Sequence, residues 1–409
     1  MLREFARGLR FPAETATLLA LAFFLPLWEA PKNLAWLAYV LTWLANRIRA
    51  REFGGRWDLW DTLILVWIGS GYAVAAFAGL HRSEWAATND LLRYGLLLWL
   101  IKRSGYGERE FRLVVGTLLA SALIALPHAY SRMFVTHSRE WLEMNSVGQV
   151  NHTAIYLAIV LGMVLSAVMA YWNAWQRAGR LLGILAVGAI AVSLIVTASR
   201  GAIGVALVLV LLLAAAWRPR MKMALVAAIL VGVLASGFAW IAKIEVVRKQ
   251  ETQVEMDNVL SNRDRIWSAA IVAWERYPAF GVGMDNFGQI TLERIEQWRR
   301  EAAKPFDASE YLPSPHGHSL LFNTLAERGL AGFAALVAVL AAWMATLVRH
   351  RPRAQDPDLM WTLWGAALSA WVVSVGAGLV NTSLHHEHAI LSVMLLGIWL
   401  ASLRGRSSP

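Results

Sequence analysis

His316–Gly317–His318–Ser319 stands where a hydrophilic stretch gives way to an apolar one, and Asn323, Glu327, Arg328, Gly329 and Gly332 follow it. Imidazole is the one side chain whose ordinary pKa lies near neutrality, so a histidine at such a boundary suits a general base. The plainer reading is a pair of solvated interfacial histidines. Glu327 lies nine residues beyond His318, too far for helix geometry alone to let it orient the ring.

Arg200 sits in Thr197–Ala198–Ser199–Arg200–Gly201, between two strongly apolar segments with almost no loop. An interfacial arginine can snorkel to lipid headgroups. So tight a turn limits that reach, and a guanidinium near hydrocarbon costs about 2.5–3.5 kcal/mol on insertion scales. A bound anion offsets the cost, because the planar guanidinium fork matches phosphate oxygens. Asn262–Arg263–Asp264–Arg265–Ile266–Trp267 opens a helical run with two cations, and cations at a helix N-terminus oppose its dipole. Either Asp264 or an external anion must balance them.

Asn381 and His385–His386–Glu387–His388 form a further polar cluster. Three imidazoles and a carboxylate are zinc-type ligands, but His385, His386 and His388 lack the i,i+4 spacing that would put them on one helix face, so no metal is expected. Asp356–Pro357–Asp358 has the Asp-x-Asp form of many metal-using glycosyltransferases, yet it lies in an arginine-rich loop and reads as a solvated turn. No P-loop and no Gly-x-Ser-x-Gly elbow occurs. The absence of cysteine removes disulfides, thiolate metal sites and thiol nucleophiles.

The elements that must position these groups are transmembrane helices. The chain is 57% hydrophobic and 16% charged, with a mean hydropathy of +0.47, against about a quarter charged in a soluble domain. Apolar segments of about 20 residues recur, each long enough to cross a bilayer as a helix. About twelve are expected, near 11–29, 33–47, 60–80, 86–101, 111–131, 151–172, 180–198, 201–217, 221–243, 318–348, 359–381 and 388–403. Asp90 and Arg93 interrupt the fourth. The basic start, Met1–Arg10, followed by a full apolar segment, reads as a retained first span with no cleavable signal.

Basic residues alternate between the connections. Arg3/Arg7/Arg10, Arg47/Arg49/Arg51/Arg56, Lys102/Arg103/Arg109/Arg112, Arg177/Arg180, Arg218/Arg220/Lys222, Arg349/Arg351/Arg353 and Arg404/Arg406 occupy one set, whereas the short loops of the other set are nearly bare. By the positive-inside rule both termini are cytoplasmic. The long hydrophilic stretch and every histidine except His350 then fall on the outer side, including His81, His128, His137 and His152. The net charge of +10 is accounted for largely by these inner loops, so nucleic acid is not implied. The expected division is 1–243 (about nine spans), 244–317 (an outer loop) and 318–409 (about three spans). Within the loop, Asn262–Pro278 and Asn286–Ala303 read as amphipathic helices broken by Gly281 and Gly283. Most of the 21 tryptophans belong to the interfacial belt.

These residues together resemble the O-antigen ligase and O-antigen polymerase superfamily of membrane glycosyltransferases. Ser199–Arg200–Gly201 is similar to the family's arginine-bearing turn. Arg263 through Trp267, followed by Tyr277–Pro278–Ala279–Phe280–Gly281–Val282–Gly283, resembles its arginine four residues before a tryptophan and its Pro-x-x-Gly-x-Gly. His318–Ser319, nine residues, Gly329, two residues and Gly332 fit the ligase pattern, and Asn151–His152 resembles a looser asparagine motif. The likeness covers mainly residues 150–400. It implies an all-α, GT-C-like polytopic fold in the bacterial inner membrane, with a large periplasmic loop. It also implies glycan transfer from an undecaprenyl-pyrophosphate carrier to an acceptor such as lipid A–core, without metal or nucleotide sugar. Arg200 and Arg263 or Arg265 are then the pyrophosphate contacts, His318 the base, and His316, Asn151 and Asn381 supporting residues. The intact histidine pattern favours a ligase over a polymerase, and the short tail after the last span favours it over a protein O-oligosaccharyltransferase. A polyprenyl-lipid flippase is the alternative from another class; its ionisable groups should lie near the bilayer midplane.

Overall fold

The computed structural model describes residues 11–217, 229–241 and 262–407. It is helical throughout, with no strand among the described residues. In chain order the helices are α1 (Pro12–Phe24), α2 (Glu29–Ala50), α3 (Leu59–Phe77), α4 (Glu84–Lys102), α5 (Glu108–Phe134), α6 (Val150–Tyr171), α7 (Arg177–Val196) and α8 (Arg200–Trp217). There follow α9 (Ile229–Ile241), α10 (Arg263–Arg276), α11 (Leu292–Glu301), α12 (Leu320–Arg349), α13 (Asp358–Gly378) and α14 (His386–Ser407). The chain is thus an all-α polytopic membrane protein.

A described helix occupies each of the twelve expected positions, but eight of them are both long and apolar enough to cross a membrane. Two others, α1 and α9, are short apolar helices. The interrupted segment is one continuous helix, α4. Its Asp90 and Arg93 pair at 3.3 Å, Arg93 also donates to Asn33 at 2.6 Å, and both residues line a cavity. Charge therefore faces an internal polar space, where it costs less than against lipid. The 244–261 part of the expected outer loop lies outside the described residues.

The centre of the bundle is α6 against α13. Gly162 and Ser166 of α6 face Ser369 and Gly365 of α13, and a methyl group at either glycine would fall 2.2 Å from the opposing serine oxygen. Such small-x-x-x-small pairs let helix backbones approach closely in lipid, where van der Waals packing replaces the hydrophobic drive. This seam fixes Asn151 and His152, at the start of α6, relative to Asn381 just after α13.

Acid–base networks brace the opposite end. Lys102 and Arg103 both reach Asp61, at 2.7 and 2.8 Å, and Arg47 pairs with Glu14 at 3.2 Å. Several of the arginines and lysines that mark the basic loops are therefore also structural partners of buried carboxylates.

The segment after α10 docks into a break in α12. Gly329 has φ +56° and ψ −161°, outside helical values. Here Leu330 N–H donates to Pro278 O at 2.8 Å and Ala331 N–H to Ala279 O at 3.0 Å, while Val282 and Gly283 N–H groups donate to Ala326 and Glu327 O at 2.9 Å. Backbone groups freed by the break are satisfied by the Pro278–Gly283 segment, which must come very close. A Cβ on Gly329 would lie 2.5 Å from Ala279 C, and one on Gly281 (φ +67°) 2.4 Å from Glu327 C. Gly329→Ala should therefore destabilise the protein by more than the roughly 1–3 kcal/mol of backbone strain alone. Gly55→Ala is the control, because φ there is +80° with open space around it. Melting in detergent should show a clearly larger drop for Gly329→Ala; equal drops would mean that the close approach contributes nothing.

The second amphipathic helix starts later than its sequence suggests. Asn286 is fully buried and donates to Leu80 O and Glu84, each at 3.2 Å, and a 3-10 turn, Phe287–Gln289, follows it. Helix α11 begins only after Thr291, whose hydroxyl accepts from Arg294 N–H. Ion pairs Arg276–Glu301 (2.9 Å) and Lys304–Glu275 (2.8 Å) hold α11 against α10.

Candidate active site

Arg200 is the first residue of α8. The α7–α8 turn is three residues long, with Ala198 at φ +55°, and Ser199 donates from its hydroxyl to Asn151 at 3.0 Å. Arg263 is the first residue of α10, after Asn262 at φ +60°. Both arginines, distant in sequence, line one pocket of about 200 Å³ together with Asn151 and Asn381. The first turn of α8, Arg200 to Ala202, lines the same pocket. Guanidinium groups and helix N-terminal N–H groups are the donors that an anion prefers.

Arg265 is placed differently. Its guanidinium donates to Tyr311 O at 3.1 Å and its own carbonyl accepts from Leu312 N–H at 3.3 Å. It holds the returning loop and does not line the arginine pocket. Asp264 is exposed.

His318 borders a larger cavity of about 520 Å³ with His316, Asn323, Glu327, Arg328 and His385. Asn151 and Asn381 line both spaces, so the two share a wall. The ring is half-buried and its backbone has φ +44°. Trp267 fixes the turn before it by donating to Gly317 O at 3.1 Å, and Gly317 N–H donates to Asn323 Oδ1 at 2.9 Å. Ser319 caps α12 by accepting from Phe322 N–H. Burial lowers the His318 pKa below its ordinary value, and the nearby Arg263 and His316 charges lower it further. The imidazole is thus held neutral, as a base must be, beside the arginine pocket. His316 is exposed at the cavity rim.

Glu327 and Arg328 are functional candidates that sequence reasoning named without a role. Glu327 accepts from Asn323 at 2.8 Å and from Phe287 N–H at 3.2 Å, so its part is to support the turn carrying His318. Arg328 is buried, donates to Ser70 at 2.7 Å, and faces the cavity. Gly332 gives it room: a Cβ there would meet the Arg328 side chain at 2.3 Å. The Gly-x-x-Gly pair therefore breaks the helix and admits an arginine, rather than smoothing helix packing.

The histidines after α13 meet a partner from another helix. One ring nitrogen each of His152, His385 and His386 lies within 4.8 Å of the others. His388 is fully buried, its ring centroid 5.2 Å from that of His152. The sequence reading grouped His388 with its chain neighbours, whereas the fold substitutes His152. Asp356, at the other end, accepts from Arg353 N–H at 2.7 Å and closes a turn.

An all-helical membrane protein with two arginines beside a half-buried histidine, at one end of its bundle, is the class that fold and site define. Residues 185–337 match the protein-family model described as O-Antigen ligase. The match takes in Arg200, Arg263, His318, Gly329 and Gly332, and stops short of Asn151 and Asn381. No curated protein matches the chain. The family implies glycosyltransferase-like ligase activity on lipid-linked glycans.

Proposed function

We propose that the chain is an O-antigen ligase: it transfers a glycan from undecaprenyl pyrophosphate to lipid A–core at the periplasmic face of the bacterial inner membrane. The observation that carries this reading is the shared wall of Asn151 and Asn381 between the Arg200/Arg263 pocket and the His318 cavity. Breaking the bond between sugar and pyrophosphate leaves a polyanion, whose charge two arginines can neutralise as it develops. The attacking group is a sugar hydroxyl, a poor nucleophile until a base takes its proton. Anion pocket and neutral imidazole are the two parts that such a displacement requires, and they adjoin.

Sidedness rests on the arginine alternation. Reporters fused near Arg351 and after Pro409 should read cytoplasmic, and one within 285–305 periplasmic; a periplasmic C-terminus would put the site on the wrong face for this reaction. His318 and the arginines supply base and charge stabilisation without a metal. Purified protein given the lipid-linked glycan and lipid A–core should therefore yield the joined product on a gel, in equal amount with and without EDTA. Loss on chelation, restored by one divalent metal, would assign the chemistry to the histidine cluster instead.

A further inference from the structure

We propose that His152, His385 and His386 form a binding site for a zinc-class divalent metal, with none of Arg200, Arg263 and His318 among its ligands. Their ligand nitrogens lie within 4.8 Å of one another. In a tetrahedral site with bonds of about 2.0–2.1 Å, ligand nitrogens stand roughly 3.4 Å apart, so small side-chain rotations close the set. The side chains converge from two places in the fold. His152 comes from the first turn of α6, which the α6–α13 seam holds in place, and His385 and His386 come from the turn that enters α14.

Backbone conformation makes that turn converge. Leu384 and His386 are at φ +54° and +47°, and the rings of the consecutive residues His385 and His386 come within 3.8 Å, centroid to centroid. Along an ordinary extended chain adjacent side chains point apart. Behind His152 lies His388, fully buried, its ring centroid 5.2 Å from that of His152.

All three residues line the 520 Å³ cavity, as do Asp90 and Asp285, whose carboxylates offset a cation's charge. Three imidazoles leave one coordination position of a tetrahedral metal for water or another ligand. His318 is not among the ligands, so transfer should continue when the metal is stripped. Imidazole donors suit zinc, nickel and copper over magnesium or calcium.

The test uses full-length protein purified on a tag without histidines, stripped with EDTA, loaded with Zn2+ and desalted. Mass spectrometry of the metal should find about one zinc per chain, as expected of a three-histidine site. Zinc should also raise the melting temperature, as a ligand of the folded state does. His152→Ala and His386→Gln should bring retained zinc to background and abolish the thermal shift, while His316→Ala keeps both. His386 is exposed, so its variant is the one to judge if His152→Ala does not fold. Cobalt in place of zinc should give the visible bands of a tetrahedral site in wild type and not in His386→Gln. Wild-type protein that retains no zinc, or a folded His386→Gln that retains as much as wild type, would overturn the proposal.

Discussion

Arg263→Ala and Arg200→Ala should each cut transfer by roughly 10²–10³, the loss found when one stabiliser of developing negative charge is removed. Both residues lead a helix into the same 200 Å³ pocket, so neither can replace the other's geometry. Lysine should rescue poorly, because a point charge does not reproduce the bidentate fork. The folded state should survive, which size-exclusion profiles and melting will show, and donor affinity should fall together with turnover. Arg265→Ala separates two readings of one motif. Its guanidinium serves the Tyr311 carbonyl, so its loss should loosen the loop and lower the melting temperature, with a smaller effect on transfer. A near-normal Arg263→Ala beside an inactive, well-folded Arg265→Ala would move the pyrophosphate contact by two residues.

His318→Ala should lower turnover by at least about a hundredfold with donor binding retained, since a positioned base contributes roughly 10²–10⁴. His316, exposed at the rim, should cost much less. The pH dependence carries the sharper signature. An ordinary imidazole titrates near ~6.5, and a simple expectation would be a rate falling below about pH 6. Burial and the Arg263 and His316 charges all push His318 lower. The base stays neutral as pH falls further, and the acid limb should have its midpoint below that of a free histidine. Removing the neighbouring charge with His316→Ala should move the limb back up. If the acid limb persists unchanged in His318→Ala, another group is the base.

Much of this site was legible in the sequence because its parts are local. Arg200 in a minimal turn, Arg263 four residues before Trp267, and His318 at a membrane re-entry are each visible as short patterns. Their shared side follows from the arginine alternation. What sequence leaves open is tertiary. Whether Arg263 or Arg265 meets an anion depends on where the Tyr311 carbonyl returns, 46 residues later. The glycines at 281 and 329 announce unusual backbone but not that they face each other across a broken helix. His152 could have been joined to His385 and His386, since all three were placed on one side, but spacing within a single segment does not reveal a cluster drawn from two. Asn286 looked like a helix start; burial beneath the α3–α4 turn made it a hydrogen-bond hub instead.

Enzyme and lipid transporter are told apart by following the carrier. Purified protein in detergent, where no bilayer exists to move a lipid across, is mixed with undecaprenyl-pyrophosphate-linked glycan and lipid A–core. Both the joined product and free undecaprenyl pyrophosphate are then quantified. The account predicts that the two appear in equal amounts with wild-type protein and that neither appears with Arg263→Ala or His318→Ala. Intact donor after incubation with active-site-competent, folded wild-type protein, alongside carrier movement across vesicles containing the same preparation, would contradict it.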